Sequence, residues 1–218
     1  MSWRLASRLS VITLAILVVI VITLMQSRQG SLSNNSSTTS SSSSSSTTSS
    51  GFQGTDLGGT PAPNFQLTDQ YGKTISLAQF RGEPVIVTFL YTHCPTICPL
   101  TAEHIHTSLL QLGPDAHKVG VLAVSTDPKG DTTSAALNFS IAHNMQTYWH
   151  FLTGTQQELA PIWTSYSVYA QAVQQTQTVN HSTALYLIDK QGKERVYMDD
   201  SFQPAQMTAN LKILLKEK

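Results

Sequence analysis

From Ser36 to Ser50 the chain is unbroken serine and threonine. Such a run has no apolar group whose burial could offset the entropy of ordering it, so it reads as a disordered tether. It divides the 218 residues into parts that fold separately or not at all. On its N-terminal side, Leu9–Ser27 carries no charge, and Val11–Met25 is apolar except for Thr13 and Thr23. As a helix, Leu9–Ser27 would span roughly 28 Å at about 1.5 Å per residue, close to a hydrocarbon core of about 30 Å. No small-x-small cleavage pattern follows, which favours an uncleaved anchor over a signal peptide. Arg4 and Arg8 place Met1 in the cytoplasm and everything after Arg28 outside. The expected organisation is a cytoplasmic stub with one membrane anchor over residues 1–27, a Ser/Thr-rich linker over 28–60 and a folded domain over 61–218. A coil of about 34 residues reaches roughly 30–35 Å, so the domain sweeps the extracytoplasmic face of the cell membrane without leaving it.

The domain is long enough to bury one core. Formal net charge is zero and no basic stripe appears, which excludes nucleic acid as a natural partner. Asn64–Leu67 and Thr74–Ser76 flank a turn and read as a small hairpin. Val85–Leu90 and Val119–Val124 are continuous apolar runs, the mark of strands buried on both faces. Helical patterns cover Pro99–Leu112, Thr132–His143, Gln156–Tyr166 and Pro204–Leu215. Trp149–Leu152 reads as extended. Ala184–Ile188 is a third buried strand, joined by a tight turn to Arg195–Met198. This alternation predicts an α/β fold with a mixed central sheet flanked by helices, in the thioredoxin-like arrangement.

The chain has only two cysteines, Cys94 and Cys98, placed where the Val85–Leu90 strand hands over to a helix. Open α/β sheets put their ligands at that edge. Residues four apart on a helix share a face, and their Cα atoms stand about 6.2 Å apart, near the upper end of the disulfide range of about 4.4–6.8 Å. A disulfide is feasible outside the cytoplasm, more so if the first cysteine sits in the loop. Pro95 and Pro99 favour a turn and a helix start, and a helix N-terminus favours thiolates. Two exposed, thiolate-prone sulfurs make half a site for a soft ion such as Cu(I). Of the seven histidines, His181 stands out because it precedes the strong Ala184–Ile188 strand, within a polar loop over residues 174–182. In a thioredoxin-like fold that position faces the thiol loop. His104, His106, His117, His143 and His150 read as ordinary polar residues, and His93 as an outer partner of Cys94. The tryptophans and Met145, Met198 and Met207 read as packing.

The segments Phe89-Leu90-Tyr91-Thr92-His93-Cys94-Pro95-Thr96-Ile97-Cys98-Pro99, Ser125-Thr126-Asp127-Pro128 with Asp131-Thr132, Trp149-His150-Phe151-Leu152-Thr153-Gly154 and Asn180-His181-Ser182 resemble the Sco/SenC family of membrane-anchored copper proteins. The resemblance implies that Cys94, Cys98 and His181 bind copper, as Cu(I), Cu(II) or both. It further implies delivery of copper or electrons to the copper-centre subunit of cytochrome c oxidase or to another copper-accepting protein. Thr133 and Asn180 depart from the proline and aspartate often found at those places in the family. Asp127 and Asp131 are candidates for orienting the loop that faces the site, against a plainer reading as turn and helix-cap residues. The leading expectation is therefore a metallochaperone rather than a turnover enzyme. The alternative is an extracytoplasmic thiol–disulfide oxidoreductase acting on partner cysteines. Against general thioredoxin activity, Ser182 and Thr183 stand where a cis-proline would hold substrate. A peroxiredoxin-like peroxidase ranks lower, since neither Arg81 nor Arg195 is placed against a thiolate.

Overall fold

The computed structural model describes residues 16–22, 51–172 and 179–218; the side chains of Ala172, Asn180 and His181 fall outside that description. Most of the expected anchor and all of the Ser36–Ser50 tract lie outside the described residues. Residues 16–22 form a short, exposed helix, α1. Among the described residues no helix is long and apolar enough to cross a membrane.

The folded unit is built on a six-stranded sheet in the order β1-β10-β9-β4-β5-β6. Its strands are β1 (Thr55–Pro61), β4 (Val85–Leu90), β5 (Gly120–Ser125), β6 (His150–Leu152), β9 (Leu185–Ile188) and β10 (Lys193–Met198). β4, β5 and β6 run parallel, while β9 is antiparallel to β4, and β10 and β1 continue antiparallel. The mixed sheet thus agrees with the alternation in the sequence. Because side chains alternate across a strand, the apolar runs feed two cores. Ile86, Leu90, Val121, Ala123, Leu185 and Leu187 enter one. Val85, Val87, Phe89, Leu122, Val124 and Ile188 enter the other.

The first core is covered by α2 (Ile97–Leu112), α3 (Thr133–Ala142) and α5 (Pro204–Lys216). Ile105 and Leu109 of α2 are fully buried against this face, each worth roughly 1.5–3 kcal/mol. The second is covered by α4 (Gln156–Ser165) and by the hairpin of β2 (Gln66–Thr68) and β3 (Thr74–Ser76). The Thr155 hydroxyl accepts from the Glu158 N–H, and the Glu158 side chain accepts from the Thr155 N–H, which starts α4 at a reciprocal cap. The three methionines and the tryptophans Trp149 and Trp163 are buried in these cores, as expected of packing residues.

Two elements depart from the sequence expectation. β1 pairs with β10 inside the stretch read as linker, so ordered structure begins before Pro61. Its sequence, TDLGGTP, is mostly exposed and contains two glycines, so an edge strand there leaves no apolar period to read. The polar stretch ahead of Ala184 is also not simply a loop. β7 (Ala170–Ala172) and β8 (Val179–His181) form a small antiparallel sheet that pairs Ala170 with His181.

Candidate metal and dithiol centre

β4 ends at Leu90, and Tyr91–Thr96 form the loop that leads into α2. This loop leaves the C-terminal end of a strand flanked by β5 and β9, the central position expected for the thiols. α2 starts at Ile97, two residues earlier than Pro99, so Cys98 lies in its first turn while Cys94 stays in the loop. The N-cap residue Thr96 makes no side-chain cap. Instead the Cys94 Sγ accepts the Cys98 N–H at 3.2 Å. That contact gives one of the orphan N–H groups of the helix N-terminus its partner.

The two sulfurs are not alike. They are thiols here, not a disulfide, with Cys94 half-buried and Cys98 fully buried. The expectation of two exposed, thiolate-prone sulfurs is therefore corrected for Cys98. Its thiol is pushed well up from the ordinary range, first by its hydrogen bond to the Cys94 side chain and next by burial. Removal from water disfavours the charged form, and a proton held between two sulfurs is harder to lose than one exposed to solvent. Cys98 is buried because Ala102, Ile105 and Leu109 on the same helix face also enter the first core.

Tyr91 belongs to the segment that resembles the family, and the sequence assigns it no role of its own. Its buried phenol hydrogen-bonds the Cys94 side chain and the backbone of Val179, and burial raises its pKa. This contact joins the thiol loop to β8, two residues from His181. The structure describes the His181 backbone as paired in that strand.

His93, Asp127 and Asp131 come together, with their candidate ligand atoms all within 4.8 Å of one another. Asp127 acts as a turn residue, accepting from the N–H groups of Lys129 and Gly130 at 3.2 and 3.0 Å. A Cβ on Gly130 would stand 2.3 Å from Asp127 Oδ2 and 3.2 Å from His93 Nδ1, so only glycine allows this approach. Asp131 is not the cap of α3; Thr132 is, through the Ala135 N–H. The Asp131 carboxylate is buried and accepts from the Thr92 N–H and hydroxyl and from the Ser125 hydroxyl. Burial pushes its pKa up, against the pull of those hydrogen bonds.

Four of the remaining described histidines serve elsewhere, and His117 is exposed. His104 Nδ1 lies 3.0 Å from the Phe202 carbonyl, and His106 packs edge-on against Tyr148. His143 packs tilted against Phe139, and His150 Nδ1 is 2.9 Å from the buried Asp69 carboxylate.

The SCO1/SenC family model matches residues 54–216. The bovine mitochondrial protein SCO2 homolog is 31% identical over 155 residues, covering 68% of this chain and 58% of that protein. This chain therefore spans little more than half the length of that relative. Bradyrhizobium japonicum ScoI, solved with copper bound, is 34% identical, with a TM-score of 0.65 over 71% of this chain and 99% of that one. BsSco, described with a disulfide switch and as a member of the Sco family of cytochrome c oxidase assembly proteins, shares the fold at 24% identity and a TM-score of 0.64, over 76% of this chain and 99% of that one. The thiol segment and the sheet that carries it lie within the matched region, and the chain belongs to the SCO1/SenC family.

Proposed function

We propose that this chain is a copper-binding assembly factor in which Cys94, Cys98 and His181 hold the ion and release it by ligand exchange. The observation that carries the reading is the contact of Cys98 with Cys94 Sγ, which places one cysteine of the loop against one in the first turn of a helix at the end of the central strand. Two soft donors in contact suit Cu(I) and suit Mg²⁺ or Ca²⁺ poorly. The tie from Tyr91 to Val179 supports the third ligand, because it holds the strand of His181 against the thiol loop. Copper bound to the Bradyrhizobium relative supports the same choice of ion. The acceptor in this reading is the copper-centre subunit of cytochrome c oxidase. Titrating the reduced chain with Cu(I) should then give one bound equivalent and protect both thiols from alkylation. Thiols that stay equally reactive with and without copper would reject the shared site.

A second reading is favoured by the asymmetry of the pair. A half-buried Cys94 that accepts a helix N–H, beside a buried Cys98 that keeps its proton, is also the layout of an attacking and a resolving thiol. Turnover of a disulfide substrate by the copper-free protein would put that reading first.

The proposal includes an uncleaved anchor over Leu9–Ser27 with the domain on the extracytoplasmic side of the cell membrane, motivated by the uncharged apolar run behind Arg4 and Arg8. The protein should sediment with membranes and keep its N-terminal residues. Recovery of a soluble form that begins within the serine tract would overturn this.

A further inference from the structure

The β4–β5 ladder closes at the pair Leu90 and Ser125, with a last bond from the Thr126 N–H to the Leu90 carbonyl at 2.8 Å. Beyond it the thiol loop has left the sheet, and its backbone groups need other partners. The Thr92 N–H, two residues ahead of Cys94, donates to Asp131 Oδ1 at 2.8 Å, and the Thr92 hydroxyl donates to the same oxygen at 2.7 Å. The other oxygen, Oδ2, accepts the hydroxyl of Ser125, the last residue of β5, at 2.6 Å. One carboxylate therefore bridges the end of β5 and the root of the thiol loop, and it is only 4% exposed. Among the described residues no cation pairs with it. A buried charge without a counter-ion is costly, and hydrogen bonds to the charged acceptor have to offset that. Two of those three bonds hold the thiol loop, and the third ties the carboxylate to the end of β5.

We propose that Asp131 is the positioning residue of the dithiol, fixing where the Cys94 loop stands and so setting the balance between dithiol and disulfide. This rests on reading Cys94 and Cys98 as the working pair, and holds whether that pair serves copper or disulfide exchange. The pinned loop is that of the reduced state. Closing a disulfide draws the two sulfurs to about 2.05 Å, and because Cys98 is packed into the first core on α2 while Cys94 stands on the loop, that movement falls on the loop. Asp131 resists that shift, and its loss should favour the disulfide.

The test is equilibration of the full chain with glutathione buffers in the presence of a copper chelator. Cys94 and Cys98 lose two electrons and two protons and form one S–S bond. Glutathione disulfide loses its S–S bond, takes up both electrons and both protons, and becomes two glutathione molecules. Asp131→Ala should move the equilibrium about tenfold toward the disulfide, about 30 mV for this two-electron couple. Thr92→Val, which removes one of the loop's two bonds to the carboxylate, should move it the same way by about threefold, and it serves as the test if Asp131→Ala does not fold. Asp131→Asn can keep an oxygen on Thr92 and turn its amide toward the Ser125 oxygen, so it should restore most of the wild-type balance. Unchanged equilibria in the folded variants would overturn the proposal. So would an Asp131→Asn shift as large as that of alanine, because charge rather than placement would then carry the effect. The copper-free readout keeps this result separate from any failure of the wild-type chain to bind copper.

Discussion

Cys94→Ser and Cys98→Ser should each lower copper affinity by more than about a hundredfold, the upper end of what losing an outer-shell partner costs. Their effects on the fold should differ. A soft ion loses one of two thiolates in either variant, and a serine oxygen is a poor substitute for sulfur. Cys94, however, is half-buried, and a hydroxyl there has access to water. Cys98 is fully buried in the core with Ala102, Ile105 and Leu109, and a hydroxyl there is a stronger donor left with only the weak acceptor Cys94 Sγ. Burying such a group costs about 1–3 kcal/mol. Competition titration with a Cu(I) chelator and urea unfolding of both variants check the two halves of the expectation. Wild-type affinity in either variant would reject the two-sulfur site. Equal loss of stability would reject the packing argument.

His181→Ala should also lose copper by more than about a hundredfold, while the dithiol–disulfide equilibrium moves little. Two thiolates alone leave the ion under-coordinated, whereas thiol exchange needs only the sulfurs and a docking surface. The fold should tolerate the change, because the pairing of His181 with Ala170 in β7 and β8 uses the backbone. Measuring copper stoichiometry and thiol reduction potential on the same preparation decides between the two functions. Unchanged copper binding would remove His181 from the site and put disulfide exchange first. A large shift in potential with copper binding lost would instead mean that His181 acts on the sulfurs themselves.

The sequence alone determined the parts of this protein that rest on periodicity and spacing. Val85–Leu90, Val119–Val124 and Ala184–Ile188 declare themselves as near-continuous apolar runs, and the structure has strands there within one residue of those bounds. The position of Cys94 and Cys98 at the end of the first of these followed from the order of the elements. Edge strand β1 and the small sheet of β7 and β8 did not, because exposed or three-residue strands carry no hydrophobic period and are held by their neighbours. Only tertiary structure separated the two thiols. Four-residue spacing makes them equivalent on paper, but the packing of α2 against the sheet buries Cys98 and leaves Cys94 on a loop. Asp131 was legible as a candidate and not as a bridge. Ser125 lies only six residues before the carboxylate, but Thr92 is 39 residues away, and the parallel pairing of β4 with β5 brings it to them at one sheet edge.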